Sequence, residues 1–273
     1  MSRVEVYGAS HSPWVQAVLL GLHYKEIECE QTPVPPLSIL FSSGIMMPAA
    51  RIGDAPWGLD SAQILQSLGY ESISKDDLTR VARTWQGVLH RADNPWKFFR
   101  GFSWLSTPHP SIMVRALRHI LRPFVTFYFF TIIKLAVMSR KSQSPTSFTD
   151  QFLHWEKKLQ HSESHYFGGE NPSIIDLQLF GIIQCHCSIP YKPLIETLQS
   201  DASLPKYRAW IARMQVTFSD YPHLFSSGYF QPYSAQPVQA KLWEKSAFWA
   251  GTGAMIAFFP VTLMLIMILL LRR

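Results

Sequence analysis

The sequence predicts a small α/β unit, then a larger all-helical unit, then an apolar C-terminal segment. Three observations carry this. Short β-branched or alternating runs interleave with helical stretches only within residues 3–72; helical periodicity dominates from there to residue 218; and residues 247–271 contain no charged side chain. A chain of 273 residues, 47% of them apolar, has enough material for one large core or two smaller ones.

Residues 3–7 (RVEVY) alternate as a short strand, and residues 13–24 follow as a helix with Trp14, Val15, Val18, Leu19 and Leu22 on one side. Residues 26–30 are expected to form a second strand. The Pro- and Ser-rich stretch QTPVPPLSILFSSG reads as a loop with at most one helical turn. MMPAARIGDAPWGLD then gives two short strands about a turn at residues 54–56, and residues 61–68 a helix that Gly69 can end. Beyond Lys75, helices are expected over 76–90, 111–138 with Pro123 as a break, 147–161, 173–187 and 204–218. The proline-spotted QPYSAQPVQ reads as a linker.

The +6 net charge comes with only 16% charged residues, and the Lys and Arg are scattered. That pattern argues against a nucleic-acid partner and for a membrane surface. Three cysteines make no disulfide framework and suit a reducing compartment. Cys185-His186-Cys187 lacks the second ligand cluster that a four-ligand zinc site requires, so no metal is expected and the cysteines read as buried helix residues. No apolar segment follows Met1, so no signal peptide is expected.

The apolar run of residues 247–271 is long enough for a single transmembrane anchor, with Pro260 as a kink. Lys241, Trp243, Lys245 and Trp249 at one end and Arg272 and Arg273 at the other match an interface pattern. So late a span leaves the preceding domains in the cytosol as a single-pass membrane protein. Residues 124–138 are short for a second crossing and hold Lys134, so a buried or interfacial helix is expected there. Arg115, Arg118, His119 and Arg122 before it form either a solvated face or a contact with lipid head groups.

Three short motifs carry chemistry. In SHSPW, Ser12 can cap a helix whose first position is Pro13, and its hydroxyl can also donate to an anion where the helix dipole favours negative charge. Met47-Pro48 sits where a central strand would not welcome proline; a cis bond there turns the Met47 N–H and C=O outward to an extended peptide. Asp60-Ser61 precedes a short apolar helix, where Ser61 can cap it and answer a carboxylate while Asp60 answers an amino group.

Together, GASHSPWVQAVLLGLHYKEIECE, MMPAARIGDAPWGLDSAQILQSL, YFGGENPSIIDLQLF and LPKYRAWIARM resemble the glutathione transferase superfamily, serine-type at the N-terminal site, over residues 3–225. The resemblance implies a thioredoxin-like glutathione-binding domain at 1–72, an all-helical domain at 76–225, a linker at 226–245 and the anchor at 246–273. It implies glutathione as co-substrate, with Ser12 at its sulfur, Met47 and Pro48 at the cysteinyl backbone, Asp60 and Ser61 at the γ-glutamyl end, and Ser173 with Asp176 as the two ends of a capping box. Tyr7 is a second candidate for the sulfur, but falls within a strand pattern. GIMMP lacks the basic residue usual before the family's cis bond, and the second helix of the unit is shortened or replaced by PVPPLSILFSSG; both changes touch the glycyl end.

Two functions follow from the resemblance. In one, a membrane-anchored transferase joins glutathione to hydrophobic small-molecule electrophiles, with Trp96, Phe98, Phe99, Phe102 and Trp104 walling the acceptor pocket and a homodimer possible in such folds. In the other, the chain is a non-catalytic adaptor at a membrane, similar to metaxins, the failed-axon-connections group or ganglioside-induced differentiation-associated proteins.

Overall fold

The β-branched residues of β1 (Val4–Tyr7) suit it to the centre of a three-stranded sheet of order β2-β1-β3. The computed structural model describes residues 3–44, 46–90, 95–106, 109–139, 147–162, 164–188, 190–234 and 238–271. β1 is parallel to β2 (Cys29–Thr32) and antiparallel to β3 (Ala49–Ile52), so Val6 lies opposite both Gln31 and Ala50. Helix α1 (Pro13–Tyr24) makes the crossover that a parallel pair needs. The fourth strand expected after the turn is only a bridge between Ala50 and Gly58, since Pro56 donates no hydrogen bond and Gly58 has no side chain to pack. The expected loop instead contains α2 (Leu37–Ser43), because Ile39 finds a small core of its own against Tyr7 and Ala49. Helix α3 (Ser61–Ser67) completes the unit.

The helical unit comprises α4 (Lys75–His90), α5 (Pro95–Gly101), α6 (Ile112–Ser139), α7 (Phe148–Gln160), α8 (Ile174–Ser188), α9 (Lys192–Ser200) and α10 (Pro205–Thr217), followed by a 3-10 turn at Phe225–Gly228. Every residue of α8 is buried. It lies along α1, which is why α1 buries Gln16, Ala17, Leu20 and Gly21 beyond its expected stripe. The start of α8 is set by Asp176. Its carboxylate accepts from Ser173 N and Oγ, Phe167 N, Gly168 N and Trp210 Nε1, at 2.7–3.2 Å, so the expected capping pair is one part of a larger buried network. Ser147 and Asp150 cap α7 reciprocally. Pro123 does not break α6; the buried ring sits within a continuous helix packed on α4.

The C-terminal segment departs most from expectation. The single crossing helix is instead α11 (Leu242–Ala257) and α12 (Phe259–Leu271), separated at Phe258 just before Pro260, which cannot donate to the preceding turn. No helix among the described residues is long and apolar enough to cross a membrane. α11 packs on α6 so closely that a Cβ on Gly251 would stand 2.2 Å from the Ile120 carbonyl oxygen. The fully buried Glu244 fastens the pair: Oε1 accepts from Ser106 Oγ at 2.7 Å and from Arg115 Nη2 at 2.7 Å, and Oε2 from Lys241 N at 2.7 Å. Burial alone raises the carboxyl pKa, and these bonds outweigh it to hold Glu244 below its ordinary value.

The expected linker is not a free spacer either. Phe230 and Ala240 are buried, and backbone bonds join Ser106 to Val238 and Ala240 to Trp104. Expected interface residues meet other side chains of the protein: Arg115 lies over the Trp243 ring at 5.1 Å and Lys245 over Trp104 at 5.3 Å. The side chains of Phe98 and Lys134, and Arg272 and Arg273 entirely, lie outside the described residues.

Asp176→Ala removes a buried carboxylate that five donors share, the Trp210 indole among them, and is expected to cost about 3–5 kcal/mol, enough to unfold much of the chain in mild urea. Circular dichroism against urea checks this. His186, buried on α8 with Nε2 unpartnered among the described residues, is pushed down by burial from 6.5 to about 4. The unfolded chain therefore binds this proton first, and stability falls as pH drops from about 6.5 toward 4, by about 2 kcal/mol at pH 5. The His186→Gln variant is expected to lose less thermal midpoint between pH 7 and pH 5 than the native chain.

Candidate functional site

The chain leaves β1 through Gly8–Ser12 and enters α1, and this loop is held from three sides. Gln31 Nε2 donates to Gly8 O at 2.8 Å and to Ser10 Oγ at 3.2 Å. Gln16 Nε2 donates to Ser10 O at 2.5 Å, while its Oε1 accepts from Tyr221 OH at 2.9 Å. Ser12 N donates to Ala9 O. From α8, Gly181 meets the first turn of α1: a Cβ there would stand 2.3 Å from Pro13 O.

Ser12 takes the N-cap position, with Pro13 first in the helix, but its side chain makes no cap bond. The hydroxyl has no hydrogen-bond partner among the described residues, in a residue 8% exposed at the positive end of a twelve-residue helix. Tyr7, by contrast, is enclosed against α2 and β3.

Across the loop, Met47-Pro48 is cis, as the strand junction led us to expect. Ala9 N donates to Met47 Sδ at 3.5 Å, so Met47 sits beside the loop that carries Ser12. At α3, Asp60 rather than Ser61 is the N-cap: Oδ1 alone accepts both from Ala62 N and from Gln63 N, at 2.9 and 3.0 Å. Ser61 is turned inward, where its hydroxyl accepts from Gln178 Nε2 of α8 at 3.0 Å and keeps its own proton to donate. The sequence placed Asp60 and Ser61 at the helix head and exchanged their duties. The Asp60 carboxylate reaches two amide N–H groups of the first turn from one residue before the helix, while Ser61 is drawn into the α3–α8 contact.

Of the basic residues at the start of α6, Arg115, His119 and Arg122 turn into the protein, while Arg118 is half-buried. Arg115 pairs with Glu244. Arg122 donates to the Phe102 and Leu105 carbonyls at 3.0 and 2.6 Å. His119 is fully buried, with Nε2 3.5 Å from Glu244 Oε1, outside hydrogen-bond geometry, and it is pushed down to about 4 by burial and then by Arg122. His11, adjacent to Ser12, stacks on Phe225 at 5.7 Å between ring centroids, and its enclosed Nδ1 has no partner among the described residues. Burial, then Arg122, Arg118, His223 and His119, push His11 down to about 3. The sequence held His11 in plain view beside Ser12; nothing in it signalled that Phe225 would stack on it.

Of the aromatic residues expected to wall an acceptor pocket, Trp96 and Phe99 pack on α11 and Phe102 on the main core. Trp96 meets Trp249 at 5.6 Å and Phe99 meets Phe248 at 5.5 Å. Two surface concavities lie elsewhere: one of about 550 Å³ lined by Tyr221, Pro222, Leu224 and Tyr233 among others, one of about 420 Å³ lined by His23, Tyr24 and Asp220 among others. Cys29 is exposed and free; Cys185 and Cys187 are buried, and burial pushes the Cys185 thiol up to about 12.

No family model and no curated protein sequence matches the chain. Solved structures similar to it include a theta class glutathione S-transferase with glutathione bound from the citrus canker pathogen Xanthomonas axonopodis pv. citri, at 15% identity and TM-score 0.43, covering 84% of this chain and 97% of that one. Glutathione transferase F7 from Populus trichocarpa is similar at 17% identity and TM-score 0.41, covering 80% and 96%. A dehydroascorbate reductase from Chlamydomonas reinhardtii is similar at 14% identity and TM-score 0.43, covering 92% and 97%. These are likenesses of chain path, at identities where residue roles do not transfer.

A methyl group at position 181 has to displace the first turn of α1. Gly181→Ala is expected to cost about 1–3 kcal/mol, read as a lower thermal midpoint.

Proposed function

We propose that this chain is a glutathione transferase in which Ser12 holds the glutathione sulfur as a thiolate, and that it works at a membrane. The observation that carries the reading is the Ser12 hydroxyl, unpartnered at the head of a twelve-residue helix. A thiol with an ordinary pKa near 8.5 is mostly protonated at neutral pH; a hydroxyl donor and the helix dipole both favour the anion. The other assigned residues are compatible in place and chemistry. Met47 lies beside the Ser12 loop, Asp60 keeps Oδ2 for an ammonium group, and Ser61 keeps a proton for a carboxylate.

In the reaction, the thiolate lone pair forms an S–C bond to an electrophilic carbon. The electrons leave with a departing group, or pass into a conjugated alkene that then takes a proton from water. Ser12 donates its hydrogen bond throughout and stays covalently unchanged.

The membrane part of the proposal rests on α11 and α12. Ile256, Phe258, Phe259, Val261, Met264 and Met267 are all exposed, which is costly in water and favourable against lipid. With α11 bound to α6 and α12 beyond the break, this C-terminal element holds the body at the bilayer, with the two folded units on the cytosolic side.

A second reading, a membrane adaptor that binds no glutathione, is favoured by one observation: neither concavity reaches Ser12, Met47, Asp60 or Ser61. Retention of the detergent-solubilised full chain on immobilised glutathione separates the two. For the transferase, Ser12→Ala is expected to raise the thiol pKa of bound glutathione by at least one unit, about 1.4 kcal/mol of lost thiolate stabilisation, measured by ultraviolet absorbance of the thiolate against pH. An unchanged pKa removes Ser12 from the mechanism.

A further inference from the structure

Helix α6 carries an apolar stripe that the described residues leave uncovered. Met113, Leu117 and Leu121 recur every four residues with Ile112 and Ile120 beside them, and all five are exposed, Met113 to 83%. On the other side of the helix His119, Arg122 and Thr126 are buried. An apolar row of this length is unfavourable in water unless something apolar meets it. Arg115 with Glu244, Ile120 with Gly251 and Phe127 with Phe259 are successive contacts, so α6 runs parallel to α11 and reaches the first turn of α12. There Phe259, Val261 and Met264 are exposed in their turn.

The charge of the chain is gathered in the same helices. Residues 94–149, which contain α5 and α6, and residues 238–273, which contain α11 and α12, hold twelve of the 25 Lys and Arg but only one of the 19 Asp and Glu. They carry +11, and the rest of the chain −5. The one acid is Glu244, which is buried and bonded to Arg115, so it offers nothing to a partner. Three part-exposed tryptophans accompany the cations. Trp96 and Trp249 have ring centroids 5.6 Å apart, and Trp104 lies under Arg100 at 5.8 Å and under Lys245 at 5.3 Å. Tryptophan beside Lys and Arg suits the head-group region of a bilayer, where the ring is half wet and the cation meets phosphate.

We propose that α6, with α5 and α11, docks the folded body on an anionic bilayer. Met113, Leu117 and Leu121 enter the acyl boundary, and Trp104 with Arg100 and Lys245 lies at the head groups. This rests on the membrane reading above and narrows it: the lipid is anionic, and the body meets it through α6 as well as through α12. A protein partner would have to present apolar and acidic patches in matching places. A bilayer offers acyl chains beneath a phosphate layer everywhere, which fits an apolar stripe flanked by cations.

The test places an environment-sensitive nitrobenzoxadiazole label at Leu117→Cys or at Met267→Cys in the full chain. Cys29, the exposed native thiol, is replaced by Ser, while Cys185 and Cys187 are buried. Each protein is added to vesicles of phosphatidylcholine alone or with about 30% phosphatidylserine, and quenching by doxyl-labelled lipid reports contact with acyl chains. The label at 267 is expected to be quenched in both vesicles, and the label at 117 only in the anionic ones. Quenching at 117 is expected to disappear in about 0.5 M salt, which screens charges beyond a few Å. Arg100→Gln with Lys241→Gln, two exposed cations, is expected to lower the ratio of quenched to unquenched label at 117 about tenfold. Leu121→Cys repeats the reading if Leu117→Cys lowers the thermal midpoint.

Quenching at 267 with none at 117 overturns the proposal, leaves the C-terminal attachment standing and gives the stripe to a protein partner. No quenching at either position removes the membrane reading and the proposal together. Equal quenching at 117 in neutral and anionic vesicles overturns it as well, because charge then selects nothing. A blue-shifted label at 117 without vesicles, in a chain that light scattering finds dimeric, assigns the stripe to a second copy and also overturns it.

Discussion

The contact between α8 and the first turn of α1 is the constraint on which the candidate site depends. At Gly181 the two helices approach until a single added carbon would touch the Pro13 carbonyl, and Gln178, one turn earlier on α8, reaches α3 through Ser61. One buried helix therefore sets both helix heads that face the proposed ligand. It can do so because Asp176 fixes where α8 begins and ties it to α10 through Trp210. A rigid scaffold of this kind lets a lone hydroxyl stay unpartnered, since the backbone around it is satisfied elsewhere: Ser12 N on Ala9, Gln16 on Ser10 and Tyr221.

Buried charge is neutralised where α6 meets α11. Arg115 finds Glu244, and that pair, with Ser106 and the Lys241 amide, fastens α11 to the body. The site reads as architecture because each Glu244 oxygen has a donor.

The apolar C-terminal run likewise divides by what surrounds it. In α11, Phe248, Gly251, Thr252 and Met255 are buried against the protein, so half of the stretch that looked lipid-bound serves as a core helix. In α12 Phe259, Val261, Leu263, Met264, Met267 and Ile268 are exposed. Hydropathy counts both halves alike, because it sums residues without knowing which already have a neighbour.

Sequence by itself determined the order and type of the main elements. The strand at residues 4–7, the helix at Pro13–Tyr24, the cis junction at Met47-Pro48 and the long helices of the second half were legible because local pattern, capping chemistry and proline geometry act over a few residues. Ser12, Asp60 and Ser61 were legible as helix-head residues for the same reason. Tertiary structure alone decided the rest: that Asp60 caps and Ser61 turns inward, that α2 forms because Ile39 has Tyr7 to pack on, that Trp96 and Phe99 meet α11, and that His11 stacks on Phe225. Those outcomes depend on contacts between residues distant along the chain, such as Ser61 with Gln178 and Glu244 with Arg115. No local periodicity encodes which buried charge will find a partner.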